Sequence, residues 1–193
     1  MKPAPSALAG GRPEKPRALL VVPIWPAPTG NGVAMRADLL FSALARDHRV
    51  DVWCIPVAGA QPGPRPDHGA IERSVVAELE VDPGWVLASR AGAPALRQLG
   101  RPSACRFITH KAVSELRREL APFDYRCTLV YRSYLLPFVE AAEISPGALG
   151  LRLVDLDDDE AMTRPRHADV HPEGETSAMH RDEAELIEEL AAQ

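Results

Sequence analysis

Apolar residues alternate along this chain between short unbroken runs and longer stretches in which they return every third or fourth position. The first rhythm predicts strands and the second helices. The runs at 18–22 (ALLVV) and 50–55 (VDVWCI) are short, rich in β-branched or large apolar residues, and bounded by proline or charge. Strands buried on both faces of a parallel sheet should look like this. Between them Val33, Ala37, Leu40 and Leu44 fall at i, i+4, i+7 and i+11, one stripe of the width needed by a helix lying on a sheet. Strand, helix and strand within about 38 residues make a βαβ unit, whose crossover is right-handed in nearly all known cases.

Further along, residues 75–81 read either as a third strand or as a short helix, and 83–102 as helix and loop. Val113, Leu116 and Leu120 predict a helix from about Thr109, CTLVY at 127–131 a strand, 133–142 a helix, and LRLVDL at 151–156 another strand. From Glu175 onward the chain is acidic and helix-forming, and no segment repeats. The alternation predicts an α/β fold of Rossmann-like, doubly wound type: a mainly parallel sheet with flanking helices. Ligands of such folds sit outside the carboxyl ends of the strands.

Composition adds scale and exclusions. With 46% apolar residues among 193, the chain can build one domain with a substantial core, or a domain plus a fragment. Residues 1–17, rich in Pro, Ala and Gly, read as a flexible tail and 18–193 as the folded part. No run approaches the roughly 18 uncharged apolar residues of a membrane helix, and the tail has no apolar segment of signal-peptide type. The expectation is a globular cytoplasmic protein without a transmembrane segment. Cys54, Cys105 and Cys127 are odd in number and far apart, which suits neither a disulfide framework nor the CxxC spacing of a zinc site. Charge is unevenly spread. Residues 151–193 hold 13 Asp/Glu against 4 Arg, leaving 18 basic and 14 acidic residues before them. The basic residues, among them Lys111, Arg117, Arg118, Arg126 and Arg132, are too dispersed for a nucleic-acid footprint.

The loop after the first strand, PIWPAPTGNG, falls where a doubly wound fold places its ligand, and the following helix would aim free N–H groups and a positive dipole end at it. Gly30 and Gly32, flanking Asn31, would let a phosphate approach the main chain. The spacing matches neither GxGxxG nor the GK[ST] ending of a P-loop, so a plain strand-to-helix turn reads equally well. Arg36, one turn into the helix, is a phosphate contact or a solvated charge. Arg132 and Tyr134 follow the CTLVY strand and so reach the same edge, either to bind substrate or as an arginine pairing with the later aspartates and an aromatic packing on the core. Those aspartates, Asp155 and Asp157 to Asp159 with Glu160, could hold a divalent metal, or simply begin a helix whose dipole favours acid. His167 and His171 are four apart, but Pro165 and Pro172 bracket them and argue against a continuous helix presenting both.

Three segments in order carry a family likeness: RALLVVPIWPAPTGNGVAMRADLLFSALARDHRVDVWCIPV, FDYRCTLVYRSYLLPFVEAA, and LRLVDLDDDEAMTRPRHA followed by an acidic helix. Together they resemble the N-terminal domain of GT-B-fold glycosyltransferases of the family-4 type, which take sugar from a nucleotide-activated donor. The resemblance implies that Gly30, Asn31, Gly32 and Arg36 lie against the donor diphosphate, with Arg132, Tyr134, Asp157 and Asp158 on the acceptor side. It also implies metal-independent transfer with no cofactor beyond the nucleotide-sugar substrate, and partnership with an acceptor and with a second Rossmann-like domain or chain. That second lobe carries most donor-binding residues in such enzymes, and this chain stops before it. A non-catalytic α/β binding or partner module, for example one half of a split enzyme, is the alternative; a metal-dependent enzyme built around Asp155 to Asp159 is a third.

Overall fold

A computed structural model describes residues 14–57, 70–91, 95, 98–99, 103–142, 147–155, 165–166, 169, 181–182 and 184–186. Among the described residues, five strands and four helices have defined bounds, in the order β1 (Arg17–Val22), α1 (Gly32–Ala45), β2 (Arg49–Cys54), β3 (Ile71–Val76), α2 (Pro83–Ala91), α3 (His110–Leu120), β4 (Cys127–Tyr131), α4 (Leu136–Ala142) and β5 (Leu151–Asp155). Short 3-10 turns at Ser103–Phe107 and Ser133–Leu135 precede α3 and α4. All four strand pairings are parallel and the sheet order is β3-β2-β1-β4-β5. The chain is an α/β protein of Rossmann-like form, as its rhythm predicted.

The alternation of side chains along β1 explains the two-sided core. Leu20 and Val22 join Val50, Val52, Cys54 and Tyr131 beneath Ala37 and Phe41 of α1. Leu19 and Val21 point the other way and join Trp53, Ile55 and Val130 beneath Leu116 of α3 and Phe138 and Val139 of α4. Each large side chain so buried stabilises the fold by about 1.5–3 kcal/mol. The buried line of α1 runs through Ala34, Ala37 and Phe41, with Val33, Leu40 and Leu44 packed along one flank. The predicted stripe therefore marks the edge of the helix–sheet contact, because the small Ala34 and Ala37 let the main chain approach the strands.

Of the ambiguous segment 75–81, Val75 and Val76 end a strand over 71–76 that starts four residues earlier, while 77–81 form neither strand nor helix. β3 is an edge strand with Glu72, Arg73 and Ser74 in its middle, so only Ile71, Val75 and Val76 carry an apolar signal. Pairing shifts between Val50 and Asp51, which leaves Glu72 as the extra residue of a bulge. Thr109 caps α3 by accepting the Ala112 N–H at 3.2 Å, in agreement with the predicted helix start. Gly150, at φ +62, turns the chain into β5, and a Cβ there would overlap the carbonyls of Tyr125 and Arg126. The close approach lets Leu151 N–H donate to the Arg126 carbonyl and start the β4–β5 ladder.

The amino edge of the sheet is closed by charge. β1 opens at Arg17, the last residue assigned to the tail from sequence. Its guanidinium donates to both oxygens of Asp51, at 2.7 and 2.9 Å, and Tyr125 Oη donates to the same carboxylate at 2.8 Å. Asp51 is 3% exposed. The Arg17 and Arg73 guanidinium groups stand 4.2 and 4.8 Å from the Phe123 ring centre, and Arg73 pairs with Glu119. Burial, then the Asp51 charge, push the Tyr125 hydroxyl well above its ordinary pKa. No helix among the described residues is long and apolar enough to cross a membrane.

Candidate functional site at the strand-order reversal

From β1 the sheet runs outward to β2 and β3 on one side and to β4 and β5 on the other. The crevice between the carboxyl ends of β1 and β4 is thus the reversal point at which open α/β sheets bind ligands. Two connections meet there: the loop 23–31 and the turn that begins at Arg132.

The loop is anchored rather than loose. Trp25 is buried in the same apolar cluster as Tyr131 and Phe41, and Ala27 N–H donates to the Ala34 carbonyl at 3.1 Å, folding the loop over the first turn of α1. Asn31 is the N-cap: its side-chain oxygen accepts the Val33 N–H at 2.7 Å. Of the residues expected to meet a diphosphate, Asn31 therefore has a capping duty that already uses one helix N–H. Gly30 has φ +99, a backbone state that L side chains rarely adopt, and a Cβ on Gly32 would meet nothing within 4 Å. Packing does not require glycine at position 32. Open space lies over the first residue of α1.

Arg36 carries the site across the crevice. Its Nε and Nη2 reach Asp155 Oδ2 and Oδ1, at 3.1 and 3.4 Å, and so join α1 to the end of β5. The Asp155 main-chain carbonyl in turn accepts the Arg132 N–H at 3.2 Å. Arg132 has φ 85 and ψ 124, alone in positive φ among the described residues that are not glycine. Strained backbone of this kind costs about 1–3 kcal/mol and concentrates at functional positions. Arg132 is 8% exposed, and its guanidinium stands 5.3 Å from the Tyr131 ring centre.

Sequence reasoning brought Gly30, Asn31, Gly32, Arg36 and Arg132 to one edge, and the structure places them there. Tyr134 falls elsewhere. It packs against the cluster of Leu135 and Phe138 on the opposite face of the sheet, the aromatic-on-core alternative for that residue. Asp157, Asp158 and Asp159, with Glu160, His167 and His171, lie outside the described residues. Asp155 is the one described residue of the aspartate run, and it meets the site. Its signal was its place at the end of a predicted strand. Trp25 and Ser133, both buried at this edge, carried no signal, because single buried residues in Pro- or Ser-containing turns look like ordinary loop.

Among the described residues no group of three or more His, Cys, Asp and Glu side chains could hold a metal ion. At the end of β2, where dinucleotide-binding folds place an acid for the ribose, stand Cys54, Ile55, Pro56 and Val57. Burial pushes the Cys54 thiol up to about 12, so it stays protonated and behaves as a small apolar side chain. Two concavities lie away from the reversal point. One is lined by Trp53, Leu116 and Tyr125 beneath α3, and an open groove at the amino edge is lined by Lys15, Arg17, Arg49 and Arg126. In that groove Lys15 donates to the Ala45 and Arg46 carbonyls at the end of α1, while Arg17 and Arg49 pair with Asp51 and Glu14. These charges close the fold.

The chain matches no protein-family model, no curated protein and no solved structure.

Proposed function

We propose that this domain is the acceptor-side lobe of a glycosyltransferase, with the diphosphate of a nucleotide-sugar donor resting at the reversal point. The observation that carries the reading is the Arg36–Asp155 bridge, which joins the open start of α1 to the end of β5 beside the strained Arg132. A diphosphate against Gly32 would gain main-chain N–H groups, the positive end of the α1 dipole and the Arg36 guanidinium. In transfer these groups stabilise charge gathering on the departing nucleotide diphosphate. The second lobe that closes such a cleft would come from further sequence or from another chain. The resemblance to GT-B enzymes supports the same assignment and adds the sugar.

A partner module is the second reading, favoured by the exposure of Leu151, Leu153 and Val154 along the edge strand β5. Thermal unfolding with UDP, GDP, ADP and their sugar conjugates, with and without magnesium, separates the two. The proposed function expects one nucleotide family to raise the midpoint without magnesium, since ligand binding stabilises the folded state. A rise that requires magnesium, or none at millimolar ligand, overturns it.

A further inference from the structure

We infer that Asp155 is a resident carboxylate that holds Arg36 until a phosphate-bearing ligand takes its place, so that anion binding at the reversal point is a competition within the protein. The inference rests on the nucleotide-sugar reading of this edge and adds its regulation. Arg36 offers Nε and Nη2 to the two oxygens of Asp155, the fork with which a guanidinium also grips two oxygens of a phosphate. The carboxylate therefore stands in for the ligand.

The two partners are not held alike. Asp155 ends a strand whose ladder to β4 extends to Tyr131, and its own carbonyl accepts the Arg132 N–H. Arg36 projects from α1 on a long stem, its side chain 41% exposed against 14% for Asp155. When the pair opens, the arginine moves and the aspartate stays. The pair is part-buried, but its guanidinium side is open to solvent and its hold is modest, so a diphosphate can take the guanidinium, and the remaining carboxylate then opposes it. A phosphate monoester brings less charge and crosses that threshold less readily. The arrangement thus favours a diphosphate over a sugar phosphate.

The test is calorimetric titration of the full chain with inorganic pyrophosphate, which removes the base as a variable, for the wild type, Asp155→Asn, Arg36→Gln and the double variant. Asp155→Asn should bind pyrophosphate about two- to fivefold more tightly, the range a modest pair with one solvent-open partner allows. That gain should vanish in the double variant. In wild-type protein the Arg36 Nε–H resonance should shift during the same titration, a readout that stands even if Asp155→Asn fails to fold. If pyrophosphate binds the wild type while the Arg36 resonance stays fixed, or while folded Asp155→Asn binds no more tightly, the inference fails and the functional reading survives. If neither pyrophosphate nor UDP, GDP or ADP binds any of the proteins, the functional reading falls and takes the inference with it.

Discussion

The two edges of one sheet are built to opposite ends. At the amino edge, Asp51 is buried and fully engaged by Arg17 and Tyr125, and Arg17 and Arg73 both lie against Phe123. At the carboxyl edge Arg132 holds a backbone state that costs energy, space is open above Gly32, and Arg36 is half in solvent. The first edge gives up little by being closed, because its charges satisfy one another. The second retains strain and exposure that core packing elsewhere offsets. The proposed binding at the reversal of strand order would account for this difference.

The largest test of this contrast removes a buried partner. Asp51→Ala leaves Arg17 and Tyr125 without their acceptor and should cost about 3–5 kcal/mol, whereas Arg36→Ala at the other edge should cost under about 1 kcal/mol. Urea denaturation reads both. Equal losses would erase the distinction between a structural and an open edge.

A smaller effect is expected from Tyr125. Its folded pKa lies above its unfolded value, so its contribution is complete below about pH 10 and declines as pH rises past the unfolded pKa, by up to about 1.4 kcal/mol per pH unit. Tyr125→Phe should be less stable at neutral pH by about 1–3 kcal/mol, having lost the hydrogen bond to Asp51. It should also lack that part of the alkaline decline. Parallel alkaline profiles for the two proteins would mean that the hydroxyl is not what burial and Asp51 hold protonated.

Gly32→Ala gives the smallest change in stability. The added Cβ meets open space, and alanine favours helix over glycine, so stability should hold or rise by up to about 1 kcal/mol. Nucleotide affinity should fall, since the methyl stands where a phosphate would approach. Unchanged affinity for a nucleotide that binds the wild type would remove position 32 from the contact surface.

Legibility from the sequence followed the same division. β1, β2 and β4 were readable because interior strands of a parallel sheet bury both faces and appear as unbroken apolar runs, and α3 was readable from its apolar stripe. β3 was half-hidden, since an edge strand tolerates Glu72 and Arg73 and borrows their pairing from Arg17 and Glu119. Gly30 was visible as a loop glycine, while Gly150 was not, although its close approach to the Tyr125 and Arg126 carbonyls makes it the more constrained. Tyr134 shows the limit of placement by position alone. Following a strand brings a residue to the right edge, but only the turn after Arg132 decides which face it joins.

Local rhythm in the chain by itself settled the alternation of strands and helices, hence the α/β class and the edge at which a ligand could sit, because apolar spacing is a property of neighbours along the backbone. Strand order, the bridge between Arg36 and Asp155 across a separation of 119 residues, and the unfavourable φ of Arg132 were decided by the tertiary structure. Those features depend on how distant segments pack and on what their packing can force a backbone to accept, and no window of sequence holds both partners at once.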